Sequence, residues 1–295
     1  MKNFIHKQVF WVFFISSIVF VYFSLAVGGY IIYRTVNIKN KVSTKKFDTY
    51  FQDSKSRIDN SSKDKPISGF RDAEIDSQIE GTFKVVGSDL SPTPTDPDQI
   101  KAWKYYKAIA GDEFISKYMA KVDFYNDSTS DIDAGVGANE TDPNKWDLSV
   151  NLAFISEKAD LIYTMVHEYA HIFSLNPTQV NGRVTGSCPD LLISEGCALD
   201  QSYINLYYEK FWSSLNANPD SQNFGEYYPG REKDFVSEYG ATNCIEDFAE
   251  TFAYYTLRDT SNLKAIADEK ITFMGNNDGI RLDVNRIREN ISRLI

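Results

Sequence analysis

The 295-residue chain is short of two side chains that carry much of protein chemistry, with three histidines and three cysteines. So few imidazoles make the position of each one informative. The chain beyond residue 80 is also short of positive charge. Of 31 Lys/Arg and 41 Asp/Glu, residues 1–80 hold 12 and 8, leaving 19 and 33 in residues 81–295 and a net charge of −14 there. A body that acidic repels phosphate backbones, which argues against nucleic acid as a partner, and it repels anionic lipid too. Three cysteines do not by themselves reveal a redox compartment. Cys188 and Cys197 can bridge a loop if the domain sits outside a cell; otherwise these two and Cys244 are small buried hydrophobes. No internal repeat is visible.

Charge is absent altogether from residues 8–33. About 20 apolar residues suffice to span a bilayer as a helix, so the run Val9–Tyr33 can cross with some tilt. A buried core helix of that length would normally keep a polar face. Lys2 and Lys7 with Ser24-Leu25-Ala26 also resemble a cleavable signal, but the apolar run continues through Ile31 and Ile32. The expected organisation is a short tail at 1–7, an uncleaved transmembrane anchor at 8–33 and a polar stalk at 34–80. A body follows at 81–295. Secretion after cleavage near Ala26 is the alternative. Arg34, Lys39, Lys41, Lys45 and Lys46 follow the span, which by the positive-inside rule favours a cytoplasmic body. An N-terminal span that doubles as an export signal argues the opposite, and the expectation is a single-pass membrane protein with its body outside.

What the body does contain is apolar and aromatic side chains. The chain has 20 Phe and 18 Tyr, enough for a packed core. Ser91-Pro-Thr-Pro-Thr-Asp-Pro-Asp98 is a break whose last residues can cap a helix starting near Gln99. Residues 100–120 have helical spacing, with Trp103, Tyr106, Ile109, Phe114 and Tyr118 as core candidates. Lys121–Tyr125 and Leu148–Phe154 read as strands, separated by a polar stretch from Asn126 to Lys145. Helical patterns cover Asp160–Ser174, Leu199–Leu215, Glu246–Leu257 and Val284–Leu294, and everything after Ser156 reads as mainly helical. The fold class expected is α+β, a small sheet followed by helices. Extended peptide can add to the outer strand of such a sheet.

The chemistry concentrates in His167-Glu168-Tyr169-Ala170-His171. Histidines four apart on a helix share one face and can share a tetrahedral metal. Glu168, beside the first, can act as general base on a metal-activated water. Leu161, Ile162, Met165, Val166, Ile172 and Phe173 make the helix apolar enough to exclude water. Two histidines satisfied inside a core helix would be the bland alternative, although buried imidazoles need partners in any case. A catalytic zinc needs a third protein ligand, and His6 precedes the membrane span, so that ligand is a carboxylate or a thiolate. Glu246 and Glu250 lie four apart and face the same way. One can bind metal while the other accepts a hydrogen bond from a ligating imidazole, and spacing alone does not rank them. Cys244 is close in sequence and could compete as a soft ligand. Glu195 or Asp200 could touch substrate or metal ligands, or merely form a turn and a helix cap.

The segment Tyr239-Gly-Ala-Thr-Asn-Cys-Ile-Glu-Asp-Phe-Ala-Glu-Thr-Phe252 resembles the second zinc motif of the gluzincin metallopeptidases, as in the anthrax lethal factor protease domain. Ser194-Glu-Gly-Cys-Ala198 is also similar to a stretch in a group of uncharacterised bacterial zinc peptidases. The resemblance covers Ile162–Phe173 and Ser237–Tyr255, about a tenth of the chain. It implies a zincin-like fold and one Zn2+ held by His167, His171 and Glu246. Glu168 would then be the general base, Tyr239 the hydrogen-bond donor to the tetrahedral oxyanion, and Glu250 the support of a ligating imidazole. The expectation is a zinc endopeptidase acting on a peptide or protein substrate. A non-catalytic zinc-stabilised binding module would keep the ligands but have no use for Glu168 or Tyr239. A zinc hydrolase acting on another bond would share all of these residues.

Overall fold

The computed structural model describes residues 79–295 apart from 131, 183, 185 and 259–265. The expected tail, anchor and almost all of the stalk lie outside the described residues. Among those described, no helix is long and apolar enough to cross a membrane. The stalk was expected to run to residue 80, but strand β1 already begins at Ile79.

Strands β1 (Ile79–Val86) and β2 (Asp89–Ser91) form an antiparallel hairpin around Gly87. Helix α1 (Pro97–Ala110) starts where the break predicts: the Asp96 carboxylate accepts from the amides of Asp98 and Gln99, and Pro97 needs no donor in the first turn. The single helix expected over 100–120 is two. Gly111, at φ +81°, leaves the helical region, and α2 (Asp112–Tyr118) follows it. Tyr106 and Ile109 are fully buried, as expected of core residues.

Strand β3 (Met119–Tyr125) agrees with expectation, and β5 (Trp146–Asn151) starts and stops earlier than the expected Leu148–Phe154. The Asn151 side chain turns the chain there, accepting from the Asp127 and Ala153 amides and donating to the Asp127 and Ile132 carbonyls. Leu152–Phe154 is consequently a 3-10 turn. The polar stretch contains a strand that the pattern did not suggest: β4 (Ala134–Ala138), Ala-Gly-Val-Gly-Ala. Small residues hide its alternation, but its backbone pairs with β5 from Ala134↔Val150 to Ala138↔Trp146. The sheet order is β2-β1-β3-β5-β4, with β3 and β5 parallel and the other neighbours antiparallel. β4 is therefore an edge strand.

Helix α3 (Lys158–Leu175) packs against α1, β4 and the later helix α5. The region after it is not mainly helical, contrary to expectation. Short strands β6 (Val180–Asn181), β7 (Leu192–Ile193) and β8 (Gly196–Ala198) form a second antiparallel sheet in the order β6-β8-β7. Strands of two or three residues leave almost no periodicity to read. Gly196 has φ +133°, and a Cβ there would lie 2.4 Å from the Asn181 carbonyl oxygen, so only glycine fits. Cys188 and Cys197 form a disulfide across this region. Helix α4 (Tyr203–Phe211), capped by Ser202, is shorter than the expected Leu199–Leu215.

Helices α5 (Cys244–Leu257), α6 (Ile266–Asn276) and α7 (Asp278–Ser292) complete the chain. The α7 side chains serve the ends of the helices around the site. Arg286 and Asn290 donate to the carbonyls of Ile109 and Ala108 at the end of α1. Arg288 donates to those of Tyr255 and Thr256 at the end of α5. These carbonyls lack partners within their own helices, and cations suit that end of the dipole. The shown architecture is α+β, a small sheet with several helices.

Candidate metal centre

The apolar face that buries α3 also buries the two histidines. Ile162, Met165, Val166 and Ala170 are fully buried, while His167 and His171 are 5% and 8% exposed. Helix α5 packs against α3 and enters through a tight cap: Asn243 Oδ1 accepts from the Ile245 and Glu246 amides. Glu246 thus sits in the first turn of α5, where the helix dipole favours a negative charge.

The three residues converge. His167 Nε2 and His171 Nε2 are 2.9 Å apart, and Glu246 Oε2 lies 3.2 and 3.3 Å from them. Such a triangle leaves a point about 2 Å from all three atoms, the usual zinc–nitrogen and zinc–oxygen distance. Glu246 Oε2 is buried and has no hydrogen-bond partner. His167, His171 and Glu246 are also the metal-competent cluster among the described residues.

Electrostatics explain why the triangle needs a cation. Glu250 Oε1 lies 2.9 Å from His167 Nδ1. Its Oε2 accepts from the Tyr163 hydroxyl at 2.9 Å and from the Ser237 hydroxyl at 2.5 Å. With Nδ1 of His167 held by Glu250, its Nε2 is the ring atom that faces Glu246. Burial opposes charge on His167, but Glu246 and Glu250 outweigh it and raise the His167 pKa well above its ordinary value. Burial also works to raise the Glu246 pKa, but the two histidines pull it far below the usual carboxylate range. The pocket is built to hold positive charge, either a proton or a metal. Two imidazole nitrogens and one carboxylate oxygen at this spacing fit zinc.

The same geometry separates the two glutamates that spacing left equal. Glu246 offers an unpartnered oxygen to the histidines. Glu250 is engaged on both oxygens by His167, Tyr163 and Ser237 and lies outside the cluster. Tyr163 and Ser237 escaped the sequence reading. Tyr163 had a usable signal, one turn before His167 on the same face of α3; Ser237 had none.

His167, Glu168, His171, Tyr239 and Glu246 all line one cleft, with β4 as a wall. Glu168 is buried, and the Val136 amide of β4 hydrogen-bonds it. Burial raises the Glu168 pKa despite the histidines. Tyr239 lies on a 3-10 turn, Tyr239–Ala241, with its ring 5.6 Å from His167 and stacked on Phe224. Burial and the neighbouring Glu246 push its phenol pKa well up, so it stays a donor.

Of the remaining candidates, Glu195 lines the cleft, at the tip of the β7–β8 hairpin. Asp200 does not; it is exposed, and its contacts are with Gln201 and Asn205. Cys244 is a buried free thiol outside the cluster, and burial raises its pKa, so it stays protonated. Comparison with protein-family models, curated proteins and solved structures returns no match for this chain.

Proposed function

We propose that the chain is a zinc-dependent endopeptidase of gluzincin type, tethered by residues 8–33 with its catalytic body outside the membrane. The observation that carries this is the triangle of His167 Nε2, His171 Nε2 and Glu246 Oε2, all within 3.3 Å of one another, beside a buried Glu168 in an open cleft. The arrangement has three protein ligands, which suits a catalytic zinc better than the closed four-ligand structural kind.

A zinc ion held by these three residues would polarise a water and a carbonyl oxygen as a Lewis acid. His167 and His171 would offer it their Nε2 atoms, and Glu250 holds Nδ1 of His167. Glu168 takes the proton of the attacking water and later delivers it to the leaving amine. Its raised pKa suits both halves of that task, because a stronger carboxylate base takes a proton more readily from water. The Val136 amide keeps it aimed. Tyr239 donates a hydrogen bond to the oxygen that becomes negative as the carbonyl is attacked. The outer edge of β4 lies along the cleft, where an extended peptide can add as a further strand. A Cβ at Gly137 would meet nothing within 4 Å, so this wall stands clear for a substrate backbone. The Cys188–Cys197 disulfide supports a body folded in an oxidising compartment.

The test is zinc content and labelled-casein cleavage by the full-length chain, with Glu168→Gln alongside. A glutamine still accepts from the Val136 amide, so the fold is kept. Zinc retained with cleavage lost supports a peptidase. Zinc retained with no cleavage by either protein favours the non-catalytic binding module. Full activity of Glu168→Gln would sink the mechanism.

A further inference from the structure

Ser237 stands between two parts of the site that the chain makes separately. Its hydroxyl donates to Glu250 Oε2 at 2.5 Å, and Ser237 Oγ itself accepts from the Gly240 amide at 3.0 Å. Glu250 in turn accepts from His167 Nδ1. Gly240 is the middle residue of the turn that begins with Tyr239. One hydroxyl therefore joins the carboxylate that orients a metal-binding imidazole to the backbone that carries the oxyanion donor. Tyr163 also donates to Glu250 Oε2, but it reaches there from α3 and not from the Tyr239 turn.

We propose that Ser237 is a positioning residue that couples metal loading to the placement of Tyr239; this rests on the zinc-peptidase assignment above. The hydroxyl suits both tasks because it donates and accepts at once. Loss of its donor leaves Glu250 Oε2 with Tyr163 alone, which loosens the grip on the His167 tautomer. Loss of its acceptor frees the Gly240 amide and lets the turn shift against α5. Tyr163→Phe reproduces the first effect without the second. Comparison of the two variants therefore isolates the coupling.

The experiment uses the full-length chain as wild type, Ser237→Ala, Ser237→Thr and Tyr163→Phe. Three quantities are read: zinc affinity by chelator competition, the melting temperature of the metal-free protein, and kcat and KM on labelled casein at saturating zinc. Partners of ligating imidazoles typically contribute about 10–100-fold in metal affinity, so Ser237→Ala and Tyr163→Phe each lose affinity in that range. At saturating zinc, Ser237→Ala loses severalfold more kcat than Tyr163→Phe, with KM unchanged. Ser237→Thr keeps the hydroxyl and restores both quantities. A Ser237→Ala loss of affinity matched by a fall in metal-free melting temperature, and not restored by threonine, would mean ordinary packing and overturn the proposal. Equal kcat losses in the two variants would overturn the coupling. A wild-type chain that binds no zinc or cleaves no casein would overturn the peptidase assignment instead.

Discussion

The floor of the cleft is two long helices, α3 and α5, whereas its rim, between residues 176 and 233, is three short strands, one helix and a disulfide. The floor is buried on nearly every side, and several of its polar groups are matched in pairs. His167 meets Glu250, Glu250 meets Tyr163 and Ser237, and Asp247 meets Lys270 and Trp212. The rim makes little backbone ladder and is held instead by side chains and one covalent bond. Ser194, for example, is tied to Asp220 through its amide. The difference matches the tasks. Metal ligands must be held within a few tenths of an ångström, which burial and a hydrogen-bonded supporting carboxylate supply. A rim needs shape around a substrate, which a stapled loop supplies at the cost of regular structure.

The largest effect expected on this contrast is chemical and falls on the floor. Glu168→Gln should lower kcat by about 10²–10⁴-fold, the usual worth of a positioned acid–base, with zinc retained. Steady-state cleavage and metal analysis on the same preparation check it.

Next is the buried pair beneath Glu246. Lys270 Nζ lies 2.6 Å from Asp247 Oδ2, with side chains 3% and 0% exposed. Lys270→Met leaves the Asp247 carboxylate in the interior without a cation, held by Trp212, and should cost about 3–5 kcal/mol of stability in denaturant unfolding. Adding Asp247→Asn should recover part of that. Equal stability of Lys270→Met and wild type would show the floor to be less tightly matched than described.

The rim should tolerate more. Removing the disulfide with Cys188→Ser and Cys197→Ser should cost about 2–4 kcal/mol while leaving zinc affinity unchanged, because no metal ligand lies on the bridged loop. A loss of zinc affinity in that variant would erase the distinction between rim and floor.

The smallest effect is the pH response of the metal-free protein. The raised His167 pKa means the folded state binds a proton more tightly than the unfolded chain. That stabilisation is fully present below the ordinary histidine value of 6.5 and is lost as pH rises through the raised value. Metal-free melting temperature should therefore fall on going from slightly acid to alkaline pH. Zinc must displace the same proton, so zinc affinity should rise over the same interval.

Much of the site was legible before any coordinates. His167, Glu168 and His171 are adjacent on one helix, and helical spacing alone fixes which side chains share a face. Narrowing the third ligand to a carboxylate or a thiolate needed only the scarcity of histidine. The helices α3, α5 and α7 were legible for a similar reason, since long amphipathic runs repeat their signal. Strand β4 was not, because Ala and Gly carry no apolar alternation, and its identity depends on pairing with β5. The rim sheet was not, because two-residue strands have no period.

The sequence by itself determined the chemistry on offer: an imidazole pair, an adjacent base and two carboxylates one turn apart. Those follow from the local geometry of a helix, which is the same wherever the helix sits. Helical spacing did not rank the two carboxylates, and only a resemblance did; the tertiary structure shows Glu246 Oε2 facing both imidazoles. Glu246 and Glu250 lie on one face of one helix, and what separates them comes from Tyr163 and Ser237, which lie 87 and 13 residues away from Glu250 and meet it only when the chain has folded.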